Sequence, residues 1–217
     1  MANSDSPISL AVFNRISLYE RWLCGMKTEG YRTVSSVALA DALSLNPSVV
    51  KKDLACVIVN EGKPKVGYNI DELIEDIENF LGYKNTKDAV LVGVGKLGQA
   101  LMGYQGFEKY GLNIIAGFDS DETKVSQEIN GKKILPAGKL ESAVKKLNIN
   151  IAILTTPQDQ AQAVTDILIK AGIRAIWNFT PAHLKTPDDV AVKNEDMAVS
   201  LAVLSQQLKG ILKKESE

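Results

Sequence analysis

The sequence predicts an α/β protein in two parts, a small helical module with a helix-turn-helix and then a parallel sheet alternating with helices, followed by a terminal helix. Three observations predict it. The apolar run Ala89-Val90-Leu91-Val92 leads into Gly93-Val94-Gly95-Lys96-Leu97-Gly98, the G-x-G-x-x-G turn of a Rossmann-type unit. Beyond it, strand-like and helix-like stretches alternate to residue 177, the pattern of parallel strands joined by right-handed crossovers. Ahead of it, two short helical stretches flank Ser44-Leu45-Asn46.

Composition sets the class. The chain has 217 residues, room for one or two domains, with 45% hydrophobic and 24% charged residues, as in globular proteins. No apolar stretch approaches the roughly 20 residues that cross a bilayer, and no basic segment followed by an apolar one opens the chain. A cytoplasmic location with no membrane partner is therefore expected. Cys24 and Cys56 lack metal-ligand spacing, so free buried thiols are expected and no metal site. The net charge of −1 does not point to nucleic acid, so a DNA site must rest on local features.

From Leu10 to Met26, apolar residues recur at helical spacing, and Gly30 marks the stop. Ser35-Ser36 is an N-cap pair for a second helix over 37–43. Asn46 and Pro47 are the N-cap and first position of a third, over 48–54. Lys51 and Lys52 on this third helix would meet DNA, since the second helix of a helix-turn-helix enters the major groove. Ser35 and Ser48 join them as candidates. Residues 57–59 and 66–70 read as a β-hairpin with a basic tip, Lys63 and Lys65, which makes the module winged. Up to Tyr68, eight basic residues face six acidic ones, so the placement of these lysines carries more weight than the excess. The alternative is a dimerisation or docking module.

Asp71–Phe80 is an acidic amphipathic helix, 82–88 a polar linker, and the boundary falls near residue 85. Strands follow at 89–93, 113–118, 133–135, 150–155 and 173–177, with helices at 97–109, 138–147 and 158–171. Domains are thus expected at 1–85, 86–193 and 194–217. The last carries Met197, Leu201, Leu204, Leu208 and Ile211 as a continuous apolar stripe. That helix can fold onto its own domain or cross to a partner subunit.

The glycine turn has a reason at each position. Gly93 permits a tight exit from the strand, Gly95 lets a pyrophosphate approach the backbone, and Gly98 packs the helix on the sheet. The N–H groups of Val94, Lys96 and Leu97 stand where a helix N-terminus attracts phosphate. Asp119 closes the next strand about 20 residues on, where its carboxylate would hold the adenosine ribose and repel a 2′-phosphate, favouring NAD(H) over NADP(H). Lys124 is grouped with it. Thr155-Thr156-Pro157 and Asn178-Phe179 follow strand ends and should line the same site.

Taken together, these residues resemble the Rex family of redox-sensing transcriptional repressors. The matching pieces include Val34-Ser35-Ser36-Val37-Ala38-Leu39-Ala40, Lys52-Asp53-Leu54, Val66-Gly67-Tyr68, the glycine turn through Leu101, Tyr104-Gln105-Gly106-Phe107, Phe118-Asp119-Ser120-Asp121, Ala152 to Pro157, Asn178-Phe179 and Asn194-Glu195-Asp196. The resemblance covers about residues 10–208. It implies a homodimer with a swapped C-terminal helix, binding to double-stranded operator DNA in the apo or NAD-bound form, and release when NADH binds. It also implies a switch made of Arg21, Tyr104 and Asp196, and Met197 stands where the family often has an aromatic or leucine facing the nicotinamide. The recognition helix has Val50-Lys51-Lys52 where the family usually shows Arg-Lys, and lysine cannot make arginine's bidentate contact with guanine.

No catalytic residue is expected. The rival reading, an NAD-dependent oxidoreductase, would need a proton donor or acceptor near the nicotinamide, and His183 after a strand end is the candidate. A third reading is an NADH sensor that has lost operator binding and acts through a protein partner.

Overall fold

The computed structural model describes residues 9–58, 67–84 and 87–215, the side chains of 214 and 215 excepted. The expected basic tip with Lys63 and Lys65 lies outside these residues. The chain divides into two compact units, Met1–Asn85 and Thr86–Glu217.

The first unit contains α1 (Leu10–Thr28), β1 (Thr33–Val34), α2 (Ser36–Ala42), α3 (Pro47–Ala55), β2 (Tyr68–Asn69) and α4 (Ile70–Leu81). Side-chain caps set the starts of three helices. Ser35 accepts from the Ala38 N–H at 3.0 Å, Asn46 from Ser48 at 2.8 Å, and Asn69 from Asp71 and Glu72 at 2.9 and 3.2 Å. Ile16, Tyr19 and Leu23 of α1 then pack with Leu39, Val50 and Leu54 of the helix-turn-helix and Ile70, Leu73 and Ile77 of α4. Stability of the reading helices thus depends on α1 and α4.

The expected hairpin of 57–59 with 66–70 rests on residues 59–66, which lie outside the described ones. Val57 and Ile58 send their N–H groups back to the Leu54 carbonyl, closing off α3. Tyr68–Asn69 pairs antiparallel with Thr33–Val34. Gly67 makes this possible, because at φ +86° and against the Val34 carbonyl a Cβ would clash.

The second unit is a seven-stranded sheet in the order β5-β6-β4-β3-β7-β8-β9. Its strands are β3 (Lys87–Val92), β4 (Leu112–Asp119), β5 (Glu128–Ile129), β6 (Lys132–Pro136), β7 (Ile151–Leu154), β8 (Ala175–Asn178) and β9 (Ala191–Asn194). All ladders are parallel except β5 with β6. From β6 to β9 the order is the 3-2-1-4-5-6 of a dinucleotide-binding sheet, with its switch point at β3. Helices α5 (Lys96–Gly103), α6 (Leu140–Leu147) and α7 (Gln158–Ala171) provide crossovers. Val90 and Val92 face a core with Val144 and Leu168, while the intervening Leu91 faces Met102 and Ile134, so period-two alternation feeds both faces.

The expected helix 97–109 breaks in the middle. Tyr104 takes an extended backbone, φ −79° and ψ 108°, and Gln105–Tyr110 continue as a 3-10 turn. The Asn130 amide caps the end of α5 by donating to the Gly103 carbonyl at 2.7 Å. The chain ends in α8 (Met197–Glu215).

Candidate functional site

At the C-terminal edge of β3 the glycine turn takes the geometry its residues dictate. Gly93 sits at φ +95°, and a Cβ there would lie 2.7 Å from the Thr156 nitrogen. At Gly98 a Cβ would strike the Gly93 carbonyl, whereas at Gly95 it would meet nothing within 4 Å. The backbone at Gly95 is therefore open to a ligand. The first-turn N–H groups of α5, including Lys96, Leu97 and Gly98, have no intrahelical acceptors and face the same end. Val94 differs from its neighbours, being buried with its N–H donating to Asp119 Oδ2 at 2.7 Å. Its expected phosphate contact is thus already used within the protein.

Asp119 ends β4 and is nearly buried. Oδ1 accepts from the Asp121 N–H at 2.8 Å, and Oδ2 also accepts from Lys124 Nζ at 3.1 Å. Burial pushes this carboxyl up, but the bonds from Asp121, Lys124 and Val94 outweigh it and hold it below its ordinary value. It is ionised at neutral pH. A carboxylate has about four acceptor positions, and three are filled, which leaves one for a ribose hydroxyl. Lys124 also lies 3.6 Å from Asp121, so the trio carries a net charge of −1 and disfavours a 2′-phosphate.

These groups line a cleft of about 500 Å³ together with Phe118, Thr155, Thr156, Pro157 and Gln160. Thr155 Oγ1 donates to the Gly93 carbonyl at 2.6 Å and so fixes the turn. Thr156 Oγ1 is buried and has no hydrogen-bond partner among the described residues. A buried hydroxyl left unpaired costs about 1–3 kcal/mol, which a ligand bond would recover. Open backbone at Gly95, an orphaned hydroxyl at Thr156 and an ionised Asp119 fit a dinucleotide.

A second cleft, of about 400 Å³, opens beyond β8 and β9 and is lined by Phe179, Thr180, His183, Glu195, Asp196 and Met197, among others. Asn178 builds its wall instead of facing it. Fully buried, Asn178 donates to the Ala182 carbonyl and Asn194 Oδ1 at 3.1 and 2.8 Å, and accepts from the Thr180 N–H and hydroxyl. Its amide capacity is spent on the loop that presents Phe179. A row of aromatic rings runs beside it, Tyr104 edge-on to Phe107 at 4.8 Å, Phe107 to Trp177 at 5.4 Å, and Trp177 to Phe179 at 4.8 Å.

On α3 the exposed residues Ser48, Lys51, Lys52 and Ala55 share one face, with Val50, Asp53 and Leu54 buried opposite. Ser35 is exposed just before α2, its oxygen already capping the helix. What sequence reading missed is how α3 is held. Arg15 Nε and Nη2 donate to Asp53 Oδ2 and Oδ1 at 2.6 and 2.9 Å, and the buried Tyr19 hydroxyl donates to Oδ2 at 2.7 Å. An acid among the apolar positions of α3, with a basic and an aromatic residue one turn apart on α1, was the available signal.

Of the three expected switch residues, Arg21 is exposed on α1 of the first unit, and Tyr104 and Asp196 are exposed in the second. Asp196 caps α8, accepting from the Ala198 and Val199 N–H groups at 2.8 and 3.2 Å. Every described side chain of α8 is exposed, including Leu201, Leu204, Leu208 and Ile211. Cys24 is half-buried and donates to Glu20 at 3.1 Å, burial pushing its thiol up to about 11. Cys56, expected to be buried, is exposed at the end of α3. Among the described residues no group of ligating side chains could hold a metal, and no helix is long and apolar enough to cross a membrane.

Residues 84–182 match the family model described as CoA binding domain, and residues 7–55 match the putative DNA-binding protein N-terminus. A curated protein of Treponema denticola named redox-sensing transcriptional repressor Rex is 40% identical over 204 residues, 94% of this chain and 96% of its own. One of the same name from Carboxydothermus hydrogenoformans is 40% identical over 195 residues, 90% and 93% of the two chains. Among solved structures, RSP in complex with β-NAD⁺ and operator DNA superposes with a TM-score of 0.89 at 33% identity, covering 98% of both chains. RSP in complex with β-NADH gives 0.86 at 32%, covering 98% of this chain and all of the other. With this identity across nearly the full length of both chains, and the glycine turn and helix-turn-helix both in place, the chain belongs to the Rex family of redox-sensing transcriptional repressors.

Proposed function

We propose that the chain binds double-stranded operator DNA as a homodimer, in its apo or NAD⁺ form, and releases it when NADH binds. One observation carries this reading: a single polypeptide presents both an exposed basic face on α3 and an open dinucleotide cleft with an ionised Asp119. A relative of this architecture is held by β-NAD⁺ and operator DNA together.

Each part has a task. Gly95, Lys96, Leu97 and Gly98 offer N–H groups to the pyrophosphate, Asp119 beside Lys124 takes the adenosine ribose, and Thr155, Thr156 and Pro157 close the floor, Thr156 through its orphaned hydroxyl. Phe179 and Met197 border the nicotinamide end. Ser35, Ser48, Lys51 and Lys52, with Lys63 and Lys65, meet the phosphates and the groove. The apolar stripe of α8 supplies the dimer contact, with the helix swapped between subunits. Bound cofactor supplies the signal, since NAD⁺ carries a positive ring and NADH a neutral one. Arg21, Tyr104 and Asp196 are the charged and polar groups that read the difference. Moving a two-state equilibrium from 99:1 to 1:99 takes about 5.5 kcal/mol, within reach of a changed charge in a poorly hydrated site.

The chain is read as a cytoplasmic regulator without enzymatic activity. His183 lines the second cleft, and the two compact units are read as the DNA-binding and the cofactor-binding parts. Steady hydride transfer to an added substrate would favour the oxidoreductase instead, and NADH affinity without duplex binding would favour a sensor acting through a protein partner.

The test is a double dissociation. Asp119→Ala is expected to weaken NADH binding by about tenfold or more, the worth of a hydrogen bond to a charged group, and to leave apo operator affinity unchanged. Lys51→Ala and Lys52→Ala are each expected to lower the salt dependence of operator binding by about one phosphate contact, with NADH affinity intact. Calorimetry showing normal NADH affinity in Asp119→Ala would count against the site as drawn.

A further inference from the structure

We infer that Trp177 and Glu195 are a positioning pair that sets the direction of α8 and passes the state of the aromatic cleft to it. The inference rests on the sensor reading above and deepens it. Trp177 Nε1 donates to Glu195 Oε1 at 3.0 Å, and the Glu195 N–H donates to the Asn178 carbonyl at 2.8 Å. Side chain and backbone thus pin the same residue to β8. The next residue, Asp196, caps α8. Lys193 Nζ stands 3.7 Å from the same Glu195 oxygen and holds it from the solvent side.

What lies beyond this junction makes it decisive. All described side chains of α8 are exposed, so within its own chain the helix takes its direction from its first residues. Its 19 residues extend about 28 Å, and a rotation of about 10° at the base moves the far end by about 5 Å. A small adjustment at Glu195 therefore becomes a large displacement of the stripe that carries the dimer contact.

On the other side, Trp177 packs against two rings, Phe107 and Phe179. Phe179 lines the second cleft and packs on Trp177 at 4.8 Å, and Phe107 connects Trp177 to the exposed Tyr104. Tyr104 in turn ends the helix that begins at the glycine turn. Contacts run without a gap from the end of α5 to the start of α8. Trp177 itself lies outside the lining of either cleft, which makes it a positioning residue.

The measurement is the ratio of operator affinities without and with saturating NADH, read by fluorescence anisotropy, beside NADH affinity read by calorimetry without DNA. Trp177→Phe keeps the ring packing and loses the donor; Glu195→Ala loses the acceptor on a half-exposed residue and spares the core. Both are expected to lower the ratio about fivefold or more, the worth of one hydrogen bond, and in Trp177→Phe, whose ring lies outside both clefts, NADH affinity should change less than about twofold. Glu195→Gln keeps an acceptor oxygen and should keep the ratio. An unchanged ratio in Trp177→Phe and Glu195→Ala overturns the proposal, as does a parallel fall of NADH affinity in Trp177→Phe, which would place the indole in the cofactor site. Wild-type protein showing no ratio at all is a different failure, that of the sensor reading.

Discussion

Asp53→Ala is expected to lower the melting of the first unit by roughly 15 °C and to abolish operator binding, while NADH binding stays intact. The carboxylate is 4% exposed and ties α3 to α1 through two bonds from Arg15 and one from Tyr19. Removing it leaves the Tyr19 hydroxyl, on a fully buried residue, without its acceptor, and a partly buried guanidinium without its counter-charge. Breaking such a network from one side costs about 2–4 kcal/mol. For a unit this small each kcal/mol is about 4–8 °C. Operator binding fails for a separate reason: Asp53 lies on the buried face of the helix whose opposite face carries Lys51 and Lys52, so the aim of those lysines depends on it. Scanning calorimetry with and without NADH checks both statements. A melting shift confined to the second unit would show that the network does not hold α3.

The same carboxylate leaves a pH signature. Burial pushes it up, yet the bonds from Arg15 and Tyr19 outweigh this and hold it below its ordinary value of 3.8. A depressed carboxyl contributes its full stability above that value and loses it as pH falls through the folded one. Melting of the first unit should therefore fall in acid below about pH 4, and Asp53→Asn should remove that part of the dependence.

The second large effect is expected at α8. Leu204→Glu together with Leu208→Glu should raise the dimer dissociation constant about a thousandfold or more. Leu201, Leu204, Leu208 and Ile211 are each more than half exposed, and burying a leucine against a partner is worth about 1.5–3 kcal/mol. Two buried charges replacing two such contacts cost about 4 kcal/mol, three orders of magnitude in affinity. Glutamate is a good helix former, so the helix itself should persist. Operator affinity should fall with the dimer, because paired recognition helices must span successive major grooves about 34 Å apart. Sedimentation showing an intact dimer in the double variant would mean that another surface holds the subunits.

Much of this was legible in the sequence where local chemistry dictates geometry. The caps Ser35 and Asn46, with Pro47 at the first position, announce their helices, and Gly93 and Gly98 make the tight exit and the close approach that their spacing requires. Less was legible where a distant partner decides. Tyr68–Asn69 pairs with Thr33–Val34 because Gly67 allows the chain to pass against Val34, and nothing near Tyr68 names that partner. The break at Tyr104 follows from the cap that Asn130 places on Gly103, from 27 residues away. β9 escapes notice because Ala191-Val192-Lys193-Asn194 is an edge strand with three exposed residues, too polar to read as buried. In the candidate site the glycine turn and Asp119 were plain, whereas the roles of Val94 and Asn178 depend on hydrogen bonds that only the fold creates.

Titrating operator release against the NADH:NAD⁺ ratio, at fixed total cofactor and stated salt, tests the account most directly. High operator affinity is expected with NAD⁺, and a sigmoidal release of the dimer as the ratio rises. Operator affinity that stays constant across the full range of ratios would contradict it.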